Sequence, residues 1–219
     1  MKDVFLQLLT RAQLRSVDEG RTLMALLEEI APDWLPGRWG HDEPLSRKYD
    51  PSRIDELWAE DELLWKGRGA KVEGWIAQPF ARRRYGLVHL GADSQNLDVD
   101  RAVTLLERLA LAFEADYGLL HLVTRRDQRG AAPGSIDYVA ADKPTLLVAE
   151  HRLERWLPDL YYLQLSERLD DLRERWDEVA AVREEVKRHL GENAFWSPEL
   201  GESHAYDVPA LGAARSAGR

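Results

Sequence analysis

The chain has 219 residues, 44% of them hydrophobic and 32% charged, a composition that excludes disordered, collagen-like and low-complexity proteins. It contains no cysteine, which excludes disulfide frameworks, thiol nucleophiles and cysteine-ligated metal sites. The formal net charge of −9 argues against nucleic-acid and anionic-membrane partners, because such partners bind basic surfaces. No apolar run approaches the roughly 18 residues of a membrane span, and the apolar start of the chain is too short for a signal peptide, so we expect a cytoplasmic protein.

The first two predicted elements are a strand and a helix. Apolar residues alternate within Lys2–Thr10, which predicts a half-buried strand. Ser16 and Glu19 have the spacing of a capping box, so a helix should begin at about Val17. Pro32 should end this helix, because proline cannot continue it.

An insertion of about residues 31–70 follows the helix. It starts with an irregular stretch that is rich in proline and glycine. Asp50 and Pro51 should then cap and begin a short helix. Beyond the insertion, β-type residues flank a turn-like segment, which predicts a hairpin of residues 71–78 and 84–91.

A long helix and a further strand come next. Apolar positions at helical spacing predict a helix from about Val99 to Tyr117, with Gly118 as the residue that follows its end. Residues 119–123 form a short apolar strand. The order strand, helix, strand, strand, helix, strand predicts an α+β fold with a ferredoxin-like split βαβ antiparallel sheet, which carries an acidic insertion and extra C-terminal helices.

The last third of the chain predicts two helices and one strand. Asp142, with a proline two residues later, should begin a helix that includes Leu153 and Trp156 among its apolar positions. Residues 160–165 are predicted as a fifth strand. Apolar residues recur at three and four between residues 169 and 190, which predicts a final helix of about 25 residues and nearly 40 Å.

The chain length favours one domain with an insertion, since ~100–200 residues per domain is usual. We therefore predict a single α+β domain of residues 1–210 and a flexible tail of residues 211–219. Three aromatic residues near the end, Phe195, Trp196 and Tyr206, should pack against this domain.

Catalytic motifs are missing from the sequence. It has no complete glycine-rich nucleotide loop, no nucleophile elbow and no zinc-protease motif. His89 and His121 fall in strands that the predicted sheet separates by the first strand, so we interpret both as core or sheet-surface histidines. Two arginine clusters fall at opposite ends of that sheet and are interpreted as solvated turns: Arg82, Arg83 and Arg84, and Arg125, Arg126 and Arg129. We therefore expect no enzymatic activity, no metal ion and no cofactor.

The insertion concentrates the negative charge of the chain. Eleven acids and four bases lie between Glu28 and Glu62, a net −7 of the total −9. Interleaved with them are Trp34, Trp39, Tyr49, Trp58 and Trp65. Carboxylates beside large aromatic groups are typical of a surface that captures a basic protein, because charge speeds encounter and aromatic side chains anchor the interface. The candidate binding residues are Trp39, Asp42, Glu43, Asp55, Glu56, Glu60, Asp61 and Glu62.

A second interpretation of the insertion stays open. The tryptophans could pack it onto the sheet while the acids keep it soluble. Under that interpretation the aromatic side chains are part of the core and contact no partner.

Three segments of the chain resemble a known family. Residues 39–44, Trp-Gly-His-Asp-Glu-Pro, are similar to the W-G-x-x-E-P region of the immunity protein 52 family and its relatives in bacterial polymorphic-toxin systems. Residues 156–162 resemble the L-P-D-L-Y-W stretch of those proteins, and residues 189–196 with 206–209 resemble their closing segment. The resemblance implies a non-enzymatic cytoplasmic protein that binds and neutralises a cognate bacterial toxin domain.

Two other function classes remain as alternatives. One is a small-molecule binder or enzyme with a pocket between sheet and insertion, in which Glu43 or Glu73 acts as acid or base and Arg83 or Arg84 binds an anion. The other is a scaffold protein that dimerises through its final helix. An immunity protein is compatible with either a monomer or a homodimer.

Overall fold

The computed structural model describes most of the first half of the chain and separate segments of the second half. The described residues are 4–10, 14, 16–58, 62–69, 71–77, 86–115, 117–122, 152–157, 160–164, 168–169 and 171–190. The chain divides into two compact units, Met1–Leu120 and His121–Arg219. The predicted domain of residues 1–210 and the predicted tail of residues 211–219 reach beyond the described residues and stay predictions.

The described residues of the first part of the chain combine strands and helices in an α+β arrangement. The strands are β1 (Val4–Thr10), β2 (Pro36–Gly40), β3 (Arg47–Lys48), β4 (Glu62–Gly67), β5 (Glu73–Ala77), β6 (Gly86–Ala92) and β7 (Tyr117–Leu122). The helices are α1 (Val17–Ile30), α2 (Ile54–Leu57) and α3 (Val99–Ala112), with 3₁₀ turns at Pro32–Trp34, Pro51–Arg53 and Ser94–Asn96. The predicted α+β class is confirmed.

The seven strands form one antiparallel sheet in the order β3-β2-β4-β5-β6-β1-β7. The register pairs Thr10 with Gly86 in β1 and β6, and Leu87 with Ala77 in β6 and β5. The predicted hairpin is confirmed as β5 and β6, because these strands are consecutive in the chain and hydrogen-bonded to each other. The strands predicted at residues 2–10 and 119–123 are confirmed as β1 and β7.

One face of the sheet forms the main core together with α1 and α3. Leu6 and Leu8, two residues apart on β1, are fully buried, as are Leu27 of α1 and Leu105 and Leu109 of α3. Side chains two apart on a strand point to the same face, and residues four apart on a helix lie on one side. The two helices pack against each other, and α3 also packs against β1.

Local capping signals place the starts of α1 and α2. Ser16 accepts a hydrogen bond from a first-turn backbone N–H, and the Glu19 carboxylate accepts one from the backbone N–H of Ser16. The predicted capping box is therefore confirmed. The Asp50 carboxylate accepts a hydrogen bond from the Ser52 backbone N–H at 3.0 Å, and Pro51 begins the 3₁₀ turn that leads into α2.

The insertion differs from the irregular segment that the sequence predicted. It contributes β2, β3 and β4, which extend the sheet beyond β5. β2 pairs with both β3 and β4, and the pairing with β4 shifts register between Pro36 and Arg38. β2 contains proline and glycine and β3 has only two residues, so both carry little local β signal. The pairing of β2 with β4 and of β3 with β2 is what defines them.

The end of α3 also differs from the prediction. The helix ends at Ala112, five residues before the expected end at Tyr117, and Gly118 lies inside β7. Glu114 adopts the left-handed conformation with a φ of 45°. The Ala115 backbone N–H then donates to the Ala110 carbonyl oxygen at 2.9 Å, the long bond of a Schellman motif. A glutamate therefore has the role that the sequence assigned to a glycine.

The described part of the second unit contains a hairpin and two helices. Strands β8 (Arg152–Leu157) and β9 (Leu160–Gln164) form a separate two-stranded antiparallel sheet. The strand predicted at residues 160–165 is confirmed as β9. Leu153 and Trp156 lie in β8, so the prediction that they belong to a helix is wrong; its expected start at Asp142 lies outside the described residues.

The final helix is divided in two. Helix α4 (Asp171–Glu174) and helix α5 (Trp176–Leu190) are separated at Arg175. The 15 residues of α5 span about 22 Å at 1.5 Å per residue, so the prediction of one helix of nearly 40 Å is wrong. The expected packing of Phe195, Trp196 and Tyr206 lies outside the described residues. Within the described segments, the helices are too short or too polar to cross a bilayer.

Candidate functional site

The acidic insertion is built into the sheet rather than attached to it by flexible linkers. β4 pairs with β5 from Glu62↔Ala77 to Lys66↔Glu73, and β2 pairs with β4 on the other side. The side chains of the insertion therefore have positions that the backbone hydrogen bonds of four neighbouring strands determine. A surface held in this way needs little ordering when a partner binds.

Trp58, at the end of α2, anchors the helical part of the insertion to α1. Its side chain is 2% exposed and occupies the space above Gly20, where an added Cβ would lie 2.4 Å from the indole ring. The indole Nε1 donates to the Leu14 carbonyl oxygen at 2.6 Å. This buried hydrogen bond satisfies the indole N–H, as buried tryptophans require.

Trp65 and Trp39 anchor the strands of the insertion. Trp65 packs over Gly74 of β5, and its Nε1 donates to the Trp34 carbonyl oxygen at 3.1 Å. Trp39, opposite Trp65 in the register, contacts the Tyr49 ring edge-on with centroids 4.7 Å apart. Burial raises the pKa of the Tyr49 hydroxyl. Trp39 is only 1% exposed, so its side chain belongs to the core and offers no surface to a partner. The burial of these tryptophans supports the packing interpretation for the aromatic residues.

The candidate acids on β4 and on the loop after β2 lie beside each other. Glu62 begins β4, and β2 ends at Gly40, which is in register with Leu64. His41 joins the two segments because its Nδ1 lies 2.6 Å from the Glu62 carbonyl oxygen. Asp42 and Glu43 follow His41 directly, and both are exposed, as is Glu62.

The two acids of α2 belong to a helix that packs against α1. Thr10 pairs with Gly86, the next residue Leu87 pairs with Ala77, and Ala77 pairs with Glu62. Helix α1 begins a few residues after Thr10. Asp55 reaches the first turns of α1, where its Oδ1 lies 2.9 Å from Nη2 of Arg21. We call the exposed candidate carboxylates of the insertion the acidic surface: Asp42, Glu43, Asp55, Glu56 and Glu62.

The acidic surface is partly neutralised by neighbouring bases. Glu43 lies 3.2 Å from the Lys66 ammonium, Asp55 pairs with Arg21, and Glu56 accepts hydrogen bonds from the Arg53 guanidinium. The hydrogen bonding from Arg53 holds the pKa of Glu56 below its ordinary value, so this carboxylate is charged at neutral pH.

Asp42 and Glu62 are the two carboxylates whose charge is not neutralised. Neither of these side chains forms an ion pair within the part of the chain that the structure describes. Both are exposed. Asp42 and Glu62 therefore differ from the other described candidates in that no base among the described residues neutralises them. Glu60 and Asp61 fall on residues that the structure does not describe.

The two strand histidines are both buried in the sheet. His89 on β6 is 6% exposed, and its Nδ1 lies 2.8 Å from Nε2 of Gln7 on β1. Its ring also contacts Phe5 with centroids 5.0 Å apart. His121 lies on β7, and β1 stands between β6 and β7 in the sheet, as the sequence predicted. Across the described ranges, no group of three histidine, aspartate or glutamate side chains is placed to hold a metal ion.

Comparison with known proteins does not place the chain in a family. No protein-family model matches it, and no curated protein is significantly similar to it. The resemblance to the immunity protein 52 family therefore rests on the sequence segments alone and stays a prediction.

Proposed function

We propose that this protein is an immunity-type inhibitor that binds a basic toxin domain through its acidic surface. The observation that carries the proposal is that Asp42 and Glu62 are exposed and form no ion pair with any described residue, on a loop and a strand that His41 joins. Exposed charges on a fixed framework attract a cationic partner over a long range and speed its association. The resemblance of residues 39–44 to the immunity family adds the expectation that the partner is a cognate toxin.

The other carboxylates of the acidic surface have a second role in this proposal. Glu43, Asp55 and Glu56 already pair with bases of this chain at exposed sites. Such exposed pairs are weak because water and salt screen them, so a cationic side chain of a partner can replace the internal base at little cost. These three acids would therefore tune the orientation of the partner more than the strength of binding.

We also propose that the acidic insertion extends a ferredoxin-like unit. The four strands β5, β6, β1 and β7 follow the order β7-β1-β6-β5, with α1 after β1 and α3 between β6 and β7. This order supports the predicted split βαβ arrangement. In this view β2, β3 and β4 enlarge the sheet on the β5 side and carry the binding surface.

Charge reversal at Asp42 and Glu62 tests the function. The double variant Asp42→Lys and Glu62→Lys should lose its partner. The matched control Asp100→Lys and Glu114→Lys has the same net charge and changes exposed acids in the first turn of α3 and just beyond its end. Each tagged protein is expressed in the native cell, and the captured proteins are identified by mass spectrometry. We expect wild type and control to recover a basic protein that is toxic when expressed alone, and the double variant to recover at least tenfold less.

Two results would contradict the proposal. Equal recovery of that toxin by the double variant and the control would exclude the acidic surface from the interface. A metabolite or nucleotide that strongly raises the Tm of the wild type would favour the small-molecule alternative instead.

A further inference from the structure

Three basic side chains form a row on the face of the sheet that points away from α1 and α3. Arg38 of β2 lies directly opposite Lys48 of β3 on one side and Lys66 of β4 on the other. Residues in register on neighbouring strands project from the same face, and all three are exposed. The face is the one opposite the buried Trp39 and Trp65, since side chains alternate along each strand. We call Arg38, Lys48 and Lys66 the basic row.

The basic row opposes the pairing of its own strands. Like charges directly opposite each other destabilise a sheet. The row is only partly compensated, because Lys66 pairs with Glu43 at 3.2 Å and Nη1 of Arg38 donates to the Ser46 carbonyl oxygen at 3.2 Å. Lys48 has no ion pair among the residues that the structure describes.

Protection of the sheet edge does not explain the whole row. Charged side chains on an outermost strand prevent it from pairing with other chains, and Lys48 on β3 fits that role. Arg38 and Lys66, however, lie on the inner strands β2 and β4, where no edge needs protection. Their placement points to a binding function for the row.

We propose that the basic row binds a short acidic segment of a partner protein. Neighbouring strands lie about 4.8 Å apart, and carboxylates one turn apart on a helix lie about 5–6 Å apart. Three acids on one face of a helix can therefore meet the three cations in order. This inference does not rest on the proposed toxin inhibition, because it uses a different set of side chains.

The surroundings of the basic row favour a short acidic cluster over a nucleic acid. The residue in register after Lys66 is Glu73, and Glu43 also adjoins the row. A continuous phosphate backbone would extend past the three cations and meet these carboxylates, whereas a cluster of three acids would not. The net charge of −9 further repels a long polyanion.

Peptide binding by fluorescence anisotropy tests the proposal. The probe is a fluorescein-labelled helical peptide with glutamates at positions i, i+4 and i+8, and a labelled ten-residue oligothymidine is the comparison. Two charge-matched triple variants are compared with the wild type. The row variant is R38Q/K48Q/K66Q, and the control, which removes exposed arginines of α1 and α3, is R21Q/R101Q/R108Q.

We expect the row variant to bind the peptide at least tenfold more weakly than the wild type at low salt, and the control to change affinity less than threefold. The charge-conserving variant Arg38→Lys should also stay within threefold. The proposal is overturned by an equal loss in both triple variants, by tighter binding of the oligonucleotide than of the peptide through the row, or by no peptide binding to the wild type.

The thermal stability of the variants separates binding from folding. Removal of opposed like charges should leave the Tm of the row variant unchanged or raise it. If the row variant does not fold, the single variants Lys48→Gln and Lys66→Gln test whether the basic row binds the peptide. Each should weaken peptide binding at least twofold at an unchanged Tm, and unchanged affinity in both would overturn the proposal.

Discussion

Replacement of Gly74 by alanine tests whether the insertion shares the core of the sheet. Gly74 on β5 lies directly opposite Trp65 on β4. A Cβ at residue 74 would lie 1.9 Å from Cε2 and 2.0 Å from Cζ2 of the Trp65 indole, whereas an ordinary contact needs 3.4 Å or more. The indole would therefore have to move, although it is only 1% exposed and hydrogen-bonded to Trp34.

The expected destabilisation has two parts. Overpacking of a filled core costs about 1–3 kcal/mol, and loss of the hydrogen bond from the buried Trp65 Nε1 adds about 1–3 kcal/mol. The free energy of unfolding of Gly74→Ala should therefore fall by at least 2 kcal/mol, a large part of a typical stability of about 5–15 kcal/mol. Trp65→Ala alone should lower the free energy of unfolding by about 3–5 kcal/mol. Because it removes the indole, it also removes the group with which a Cβ at residue 74 would clash.

A double-mutant cycle measures the contact. Equilibrium urea unfolding followed by far-UV circular dichroism gives the free energy for each variant. In the Trp65→Ala background, Gly74→Ala should be neutral or stabilise slightly, so the coupling energy should reach about 2 kcal/mol or more. Gly40→Ala is the matched control, because its added Cβ would contact Leu45 at an ordinary 3.6 Å. If Gly74→Ala cost no more than this control, or were not rescued in the double variant, β4 would not lie on β5 as described.

Three further perturbations test local features of the fold. Ser16→Ala should lower the free energy of unfolding by about 1 kcal/mol, because a first-turn N–H of α1 loses its acceptor; no change in the urea midpoint would contradict the capping box. Glu114→Gly should raise the free energy of unfolding by about 0.5–1 kcal/mol, because glycine adopts the φ of 45° without steric cost. A loss of stability would contradict the Schellman motif at the end of α3. The hydrogen bond from the Lys71 ammonium lowers the pKa of Asp93, so the pair stabilises the protein above about pH 4 and this stability is lost as the pH falls through the lowered pKa. In Asp93→Asn the urea midpoint should therefore fall less steeply with pH in the acid range, whereas the exposed control Asp100→Asn should behave like the wild type. The same pH dependence in both variants would refute a stabilising pair between Lys71 and Asp93.

Local signals in the sequence were sufficient for the elements whose ends depend on neighbouring residues. The capping box at Ser16, the cap at Asp50 and the hairpin of β5 and β6 were all predicted close to their observed places. In the two caps the decisive interaction spans only two or three residues, and the two strands of the hairpin are consecutive in the chain. Such interactions are encoded in adjacent positions and can be recognised without knowledge of the fold.

Elements that depend on distant partners were not predictable in this way. β2 and β3 are short and contain few β-type residues. They are strands because β2 pairs with β4 and β3 pairs with β2. The hydrophobic pattern at Leu153 and Trp156 suited a helix, but the segment pairs with β9. The early end of α3 depends on Glu114, a residue type that seldom adopts a positive φ and gave no signal.

The sequence by itself determined that the insertion is acidic and rich in tryptophan, because composition is independent of the fold. Only the tertiary structure decided the role of each residue. It buries Trp39 and Trp65 on one face of the sheet and pairs Glu43, Asp55 and Glu56 with bases distant in sequence or one turn away. Among the residues it describes, it places no base against Asp42 or Glu62. It also aligns three cations that are scattered along the chain. The physical reason is that burial and electrostatic interaction depend on distance in space, and strand pairing brings together residues that the sequence keeps apart.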